Sequence, residues 1–241
     1  SKANDVWVGT FNGGLNLFDK ETETVRRYQH DPNNDFTISS DKVVALFEDK
    51  QEMLWVGTID KGLNLFNPAL GTSTRIQQEN NNPKSLGSNT VFTIHEDKKG
   101  NIWVGTGGAG LNLLSAKNRA IGNYEFEVFS REHGLPSSSV FGILEEHDGM
   151  LWLSTNRGLT KFDPETKSIL NYDSSHGLQG NEFNFGAYHV MPDGKFFFGG
   201  TNGVTAFYPD DIAPNNHVPP VVLTRFQRLN EVSSMNYARN T

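Results

Sequence analysis

Short hydrophobic runs, separated by polar turns, recur along the whole chain. In the period around residues 43–78, apolar, β-branched and aromatic residues alternate at least partly with polar ones, and Gly, Asn, Asp or Pro bound each run. The runs are VVALFED (43–49), LWVGT (54–58), GLNLFN (62–67) and TRIQQ (74–78). No segment carries the apolar stripe of a helix, so the pattern predicts short antiparallel strands and disfavours a solenoid of helix pairs.

The second of these runs recurs five times. Its aromatic position is occupied by Trp7, Trp55, Trp103, Trp152 and Phe197. The glycine that opens the next run recurs at spacings of 48, 48, 48 and 45, at Gly14, Gly62, Gly110, Gly158 and Gly203. Four short strands in every ~40–50 residues are typical of a β-propeller blade. We therefore predict an all-β fold, a β-propeller of repeated four-stranded antiparallel blades, whose five repeats can be part of a larger ring.

The repeated phrase also suggests how blades meet. In LWVGT, Leu54 and Val56 face one way, while Trp55 and Gly57 face the other. A flat ring beside a residue without a side chain allows a neighbouring blade to pack closely. We therefore assign these residues a structural role.

Acidic turns join the first and second strands, and the turn at 48–53 lacks the glycine of its counterparts, so we expect it to be longer.

Composition restricts the function classes. The 241 residues are 36% hydrophobic and 20% charged, as in a soluble globular protein, and the net charge is −7. A negative charge argues against nucleic acid or an anionic membrane surface as the main partner. The absence of cysteine excludes disulfides and thiolate zinc sites. No apolar run approaches ~18–20 residues, so we expect no membrane contact within this segment.

Two long stretches resemble the repeat of the two-component regulator propeller family. They are SSDKVVALFEDKQEMLWVGTIDKGLNLF (39–66) and SNTVFTIHEDKKGNIWVGTGGAGLNLL (88–114). Residues 176–212 are similar to the last blade of such propellers, and 221–232 to the first strand of the Ig-like domain that follows. This resemblance implies blades over 1–212, a linker at 213–220, and at 221–241 the first strand of an Ig-like domain or a ring-closing strand.

The resemblance also implies a function. Family members are sensor regions of hybrid histidine kinases or related transmembrane signalling proteins. The chain would be a periplasmic segment of an inner-membrane protein, would sense a ligand, and would dimerise through the parent receptor. A kinase or cyclase output domain would lie outside it. Family propellers usually have about seven blades, whereas five repeats occur here and the first lacks its opening strand.

The candidate ligand site lies where the connections between blades end. These connections share one face with the turns between second and third strands, and rigid scaffolds commonly place recognition on such loops. The predicted ligand-binding residues are Asn181, Glu182, Phe183, Asn184, Ser138, Ser139, Ser88, Asn89, Ser40 and Asp41. Such a ring suits a saccharide. Alternatively, Ser, Asn and Asp before a strand cap turns by bonding to their own backbone.

Two further sets of polar residues have two interpretations each. The first set is Asn16, Asn64 and Asn112, at one position of the third strand. They could form a ligand ring, but bonding to the neighbouring blade is the favoured interpretation. The second set is His30, His133 and His176, in three connections between blades. Their separation around a disc favours loop packing over a shared metal site.

No motif of known chemistry occurs. The chain has no GxSxG elbow, phosphate loop, calcium loop or closely spaced histidine pair, and nothing selects a pair of glycosidase carboxylates. We therefore predict a non-enzyme without catalytic residues, metal or cofactor. The alternatives are a carbohydrate-active propeller enzyme, either a lyase or a glycosidase, and a non-catalytic protein-interaction scaffold.

Overall fold

The computed structural model describes residues 5–212, together with the backbone of 226–228 and 231–233. The chain divides into two compact units, Ser1–Pro209 and Asp210–Thr241, which are described separately. The first unit contains the repeats and all of the predicted site residues.

The first unit is built from five antiparallel sheets that follow one another along the chain. The first sheet comprises β1 (Asp5–Thr10), β2 (Gly14–Asp19) and β3 (Thr24–Tyr28). The second comprises β4 (Val43–Glu48), β5 (Leu54–Thr58), β6 (Leu63–Asn67) and β7 (Thr72–Ile76). The third comprises β8 (Val91–Glu96), β9 (Ile102–Thr106), β10 (Leu111–Leu114) and β11 (Phe126–Phe129).

The fourth and fifth sheets continue the same order. The fourth comprises β12 (Val140–Glu145), β13 (Leu151–Thr155), β14 (Gly158–Phe162) and β15 (Ile169–Tyr172). The fifth comprises β16 (Phe183–Val190), β17 (Phe196–Gly200) and β18 (Gly203–Phe207). Consecutive strands pair within each sheet, and the neighbouring inner strands β4, β8, β12 and β16 lie side by side. The chain is an all-β propeller segment, as its repeat predicts.

Short helical segments occupy some connections. They are α1 (Ala116–Ala120) and the 3₁₀ turns Arg131–His133, Ser174–His176 and Pro209–Asp211. The hydroxyl of Ser115 caps α1 by accepting a hydrogen bond from the N–H of Asn118 at 3.2 Å. Because α1 has five residues and buries none of them, it leaves no periodic apolar signal in the sequence.

The second unit contains a described antiparallel pair, β19 (Phe226–Arg228) and β20 (Glu231–Ser233). The predicted linker at 213–220 lies outside the described residues. So does the predicted strand at 221–241, apart from the backbone of this pair. In the described part of the chain, no helix is long and apolar enough to cross a membrane.

Neighbouring blades interlock through the predicted glycine. A Cβ built on Gly57 would lie 2.6 Å from Cγ1 of Val91, the first residue of the next inner strand. The same relation joins Gly9 to Val43 at 2.6 Å. Beside each glycine, the tryptophan packs on apolar residues of the following sheet, and Trp55 is fully buried. The missing side chain therefore makes room for a valine, which confirms the predicted structural role.

The acidic turns hold these tryptophans in place. The indole N–H of Trp55 donates to the Asp49 carboxylate at 2.8 Å, and that of Trp103 donates to Asp97 at the same distance. Trp152 donates to Glu146 in the same way. The N–H of Trp7, whose repeat has no such turn among the described residues, finds no acceptor among them.

The turn without glycine is not longer than its counterparts, so that expectation is wrong. The N–H of Asp49 bonds to the carbonyl of Met53, as that of Asp97 bonds to Asn101. Glu52 adopts a φ of 60°, close to the 81° of Gly100 in the equivalent turn. A residue with a Cβ occupies a left-handed position that normally favours glycine.

Candidate functional site

The predicted site residues recur at one structural position, at the ends of the connections between blades. The carbonyl oxygens of Asp41, Asn89, Ser138 and Asn181 each accept the N–H of the glycine that opens a third strand, at 2.7–3.0 Å. These bonds tie each connection to the preceding blade. The position therefore has a backbone role in the first four repeats.

Three of these residues also use their side chains in the loop. Asp41 accepts the N–H of His30, Asn89 that of Gln78, and Asn181 that of Ser174, at 2.7–2.8 Å. The carboxylate or amide oxygen thereby replaces a backbone acceptor that the turn lacks. This geometry agrees with the capping interpretation, and a ligand role for these residues stays a prediction.

The serines are bonded in a similar way. Ser40 accepts the N–H of Lys42 at 3.1 Å, and Ser88 donates to the carbonyl of Gly107 at 2.8 Å. The N–H of Ser139 donates to the hydroxyl of Ser137 at 2.9 Å. These residues shape the face on which a ligand would bind.

The fifth blade presents its predicted residues differently. Phe183 is 3% exposed and packs against Phe198, so its ring belongs to the core. Glu182 and Asn184 are exposed, and their side chains make no hydrogen bond or ion pair with a described residue. Of the predicted residues on this blade, these two direct polar groups toward solvent.

Sequence reasoning missed a β-bulge that recurs in the inner strands. Val43 pairs with Thr58 and Ala45 with Gly57, so Val44 is an extra residue in the ladder. The register shifts at the equivalent points of the next two blades make Phe92 and Phe141 the extra residues. A bulge leaves one residue unpaired and redirects its side chain, and bulges are common next to active sites.

The bulge of the fifth blade is larger. Phe183 pairs with Gly200 and Tyr188 with Phe198, so residues 184–187 lie opposite Gly199 alone. Gly186 has a φ of 70° within this bulge, a left-handed conformation that suits glycine. The expanded bulge brings Phe185 close to the bulged residues of the third and fourth blades.

The three bulge phenylalanines meet. The ring of Phe92 lies 5.2 Å from that of Phe141, and it stacks on Phe185 at 5.6 Å with 23° between the planes. Phe185 is 51% exposed, whereas Phe92 and Phe141 are half-buried. We call Phe92, Phe141 and Phe185 the bulge platform. A sequence signal existed: phenylalanine occurs at the same repeat position in two blades, and the fifth run departs from the repeat length.

The opposite face carries buried ion pairs between blades. Arg119 donates to Asp49 at 2.7 Å and to Glu96 at 2.9 Å, and so joins the second and third blades. Burial alone would lower the pKa of Arg119, but its hydrogen bonds to the two carboxylates outweigh burial and raise it. Within the fourth blade, Lys161 pairs with Glu146 at 2.7 Å.

Two clefts of about 380 and 480 Å³ lie between the acidic turns of neighbouring blades. Their charged groups are largely engaged with one another, as Lys99 is with Glu165. No cluster of metal-ligating side chains occurs in the part of the chain that the structure describes. This face cross-links blades, and the opposite face carries the candidate site.

The recurring asparagines of the third strands and the histidines of the connections between blades make structural contacts. Asn64 is fully buried, accepts the N–H of Ser39 at 2.8 Å and donates to its hydroxyl at 2.9 Å. It thus fixes the connection that arrives from the preceding blade. His30 contacts the carbonyl of Ile38 at 2.9 Å, and His133 and His176 likewise bond within their own loops.

Comparison with known proteins identifies the repeats. The model of the family described as two component regulator propeller matches residues 37–60, 85–108 and 134–157. The chain is 40% identical over 112 residues to histidine kinase P4 of Formosa agariphila, a match that covers 45% of this chain.

Two solved structures extend the likeness. The extracellular domain of the hybrid two-component system BT3049 from B. thetaiotaomicron is 27% identical, with a TM-score of 0.79 over 98% of this chain. That of BT4673 from the same organism, 22% identical with a TM-score of 0.73 over 87% of this chain, shows the shared fold. The chain spans 8% of the kinase and 32% and 28% of the two solved chains.

Proposed function

We propose, from repeats that belong to the two-component regulator propeller family, that this chain is part of the extracytoplasmic sensor region of a hybrid two-component system. One observation carries the proposal: a solved extracellular domain of such a system matches 98% of the chain at 27% identity. The proposed location is the periplasm, and the kinase output would lie elsewhere in the parent protein.

The proposed mechanism is non-catalytic. A ligand bound on the loop face would favour one of two arrangements of the parent receptor dimer, because a ligand shifts an equilibrium only by its differential affinity for the two states. A saccharide or similar polar ligand suits this face. The Glu182 carboxylate can accept hydrogen bonds from the hydroxyl groups of a sugar, and the Asn184 amide can both donate to them and accept from them. Buried ion pairs between blades hold the scaffold that carries these loops in place.

Ligand binding can be tested by thermal unfolding of the purified chain with oligosaccharides of known composition. A ligand at 100 times its Kd should stabilise the native state by about 2.7 kcal/mol, which raises the melting temperature by several degrees. The variants Glu182→Gln and Asn184→Ala should reduce this rise, and Asp148→Asn, in an exposed turn of the opposite face, should leave it unchanged.

Other outcomes would contradict the proposal. Turnover of a bound sugar would show a carbohydrate-active enzyme. The absence of any shift over a broad panel, together with capture of a defined protein partner, would favour an interaction scaffold.

A further inference from the structure

We propose that the bulge platform is the part of this face that contacts the ligand, and that it stacks against a ring of a neutral oligosaccharide. This inference rests on the proposed sensor function and adds the contact residues and the ligand class. The platform combines rings from three blades, at the inner strands where the connections between blades end.

The platform is placed by the backbone rather than by the needs of the core. Each ring lies in a bulge, outside the ladder that aligns the buried faces of the sheets. The apolar core clusters contain Val91, Ile94, Val140 and Ile143 from the same strands, but none of the platform rings. A half-exposed Phe185 gains little from burial where it lies, so the arrangement is better explained by a surface that binds something.

The platform is also held rigidly. The hydroxyl of Tyr188, at the far end of the large bulge, bonds to the hydroxyl of Thr93 on β8 at 2.7 Å. The Tyr188 ring covers Gly142, where a built Cβ would lie 2.4 Å from it. A Cβ on Gly107 would lie 2.8 Å from the Phe92 ring, so glycine leaves space for that ring too. Binding to a pre-organised surface costs less conformational entropy.

The chemistry of the platform selects the ligand class. A pyranose ring has an apolar face of C–H groups that packs on an aromatic plane, while its hydroxyls extend from the edge. Asn184 directly precedes Phe185 and Glu182 lies three residues before it, and both side chains can bond to those hydroxyls. The Glu182 carboxylate would repel uronic acids and sulfated sugars, and the chain's net charge of −7 acts in the same direction. The platform therefore fits a neutral sugar.

Calorimetric titration of the full chain can test this inference. The probes are neutral tetrasaccharides of glucose, xylose and mannose, with tetragalacturonate as the charged counterpart. A neutral probe that binds should bind at least tenfold more weakly to Phe185→Ala and Phe92→Leu, and Phe185→Trp should retain binding. Phe36→Ala is the matched control, because Phe36 is a 69% exposed phenylalanine in a connection between blades. Thermal unfolding without ligand verifies that each variant is folded.

The outcomes separate this inference from the proposed function. If Glu182→Gln and Asn184→Ala weaken binding but the platform variants do not, the platform is wrong and the sensor function stands. Preferential binding of tetragalacturonate would overturn the neutral class. If neither neutral nor charged probes bind, the platform inference and the saccharide part of the proposed function both fail.

Discussion

At the scale of single residues, Glu52 occupies a turn position that costs backbone energy. Its φ of 60° is left-handed, where a Cβ costs roughly 1–2 kcal/mol, partly offset by the extra entropy that glycine loses on folding. We expect Glu52→Gly to raise the free energy of unfolding by about 0.5–1 kcal/mol, as measured by denaturant unfolding.

Gly100 provides the control, since it has a φ of 81° in the equivalent turn. Gly100→Ala should lower stability by about 1 kcal/mol. If Glu52→Gly destabilises the protein, contacts of the glutamate side chain outweigh backbone strain.

Asp49 is a second residue whose neighbours dictate its chemistry. Its side chain is 1% exposed and accepts from the Trp55 indole and from Arg119. One carboxylate oxygen accepts both of these bonds, and the other accepts the N–H groups of Gln51 and Met53. The NH2 group of Asp49→Asn must therefore face donors at one of the two places, so we expect a loss of about 2–3 kcal/mol in urea unfolding. Asp148→Asn is the control, because the exposed Asp148 uses one oxygen on the N–H of Met150 and can keep that bond. Equal stability of the two variants would show that the buried contacts contribute nothing net.

At the scale of elements, neighbouring blades fit together because a valine side chain of one blade fills the space beside a glycine of the other. Gly57→Ala directs a Cβ at Val91, and we expect a cost of about 1–3 kcal/mol. Adding Val91→Ala should recover part of this loss, with a coupling of about 1 kcal/mol in a double-mutant cycle. Gly57→Ala combined with Val140→Ala should instead be additive, because Val140 packs on Gly105. Additivity in both pairs would contradict the fit between glycine and valine.

A second link between elements joins β16 to β8. Burial raises the pKa of Tyr188, while its hydrogen bond to Thr93 acts in the opposite direction. A raised pKa means that the tyrosine's contribution to stability is complete below its unfolded value near 10 and is lost as pH rises through the folded value. Tyr188→Phe should therefore make the loss of stability above pH 10 shallower, while costing about 1 kcal/mol at pH 8 for the lost bond.

The measurement is urea unfolding from pH 8 to pH 11. Burial also raises the pKa of Tyr124 and Tyr172, and both remain in the variant as a common background. An unchanged slope above pH 10 would show that Tyr188 does not ionise on unfolding.

The sequence predicts the strands and the blade contacts well, and the reason is repetition. Trp55 and Gly57 recur because every blade must fit the next, so a single pattern reports both the element and its packing. Features that occur once leave no such pattern. The helix α1 depends on one capping serine, and the bulge at 184–187 depends on ladder register, which pairs residues distant in sequence. The bulge platform was missed because pairing between strands sets the register that places its rings, although phenylalanine recurs at one repeat position in two blades.

At the scale of the whole propeller segment, each sheet is packed mainly against its neighbours in chain order, as in other repeat proteins. The first and last sheets each have one neighbour in chain order among the described sheets of the segment, so equivalent residues are more exposed there than in the central sheets. Val8 is 42% exposed while its counterpart Val56 is fully buried, and Val204 is 62% exposed while Leu159 is fully buried. The outer sheets therefore have fewer burial contacts to lose when they open.

We expect stability to decrease from the central sheets towards both ends of the segment, because local opening costs less where less apolar surface is buried. In hydrogen exchange followed by mass spectrometry, amides of β5, β9 and β13 should exchange most slowly, and those of β1 and β18 should exchange earlier. Adding a bound oligosaccharide should then slow exchange in β8, β12 and β16, whose bulges form the platform. If all five sheets exchange together through one global unfolding event, the segment folds as a single cooperative unit and the sheet-by-sheet description is wrong.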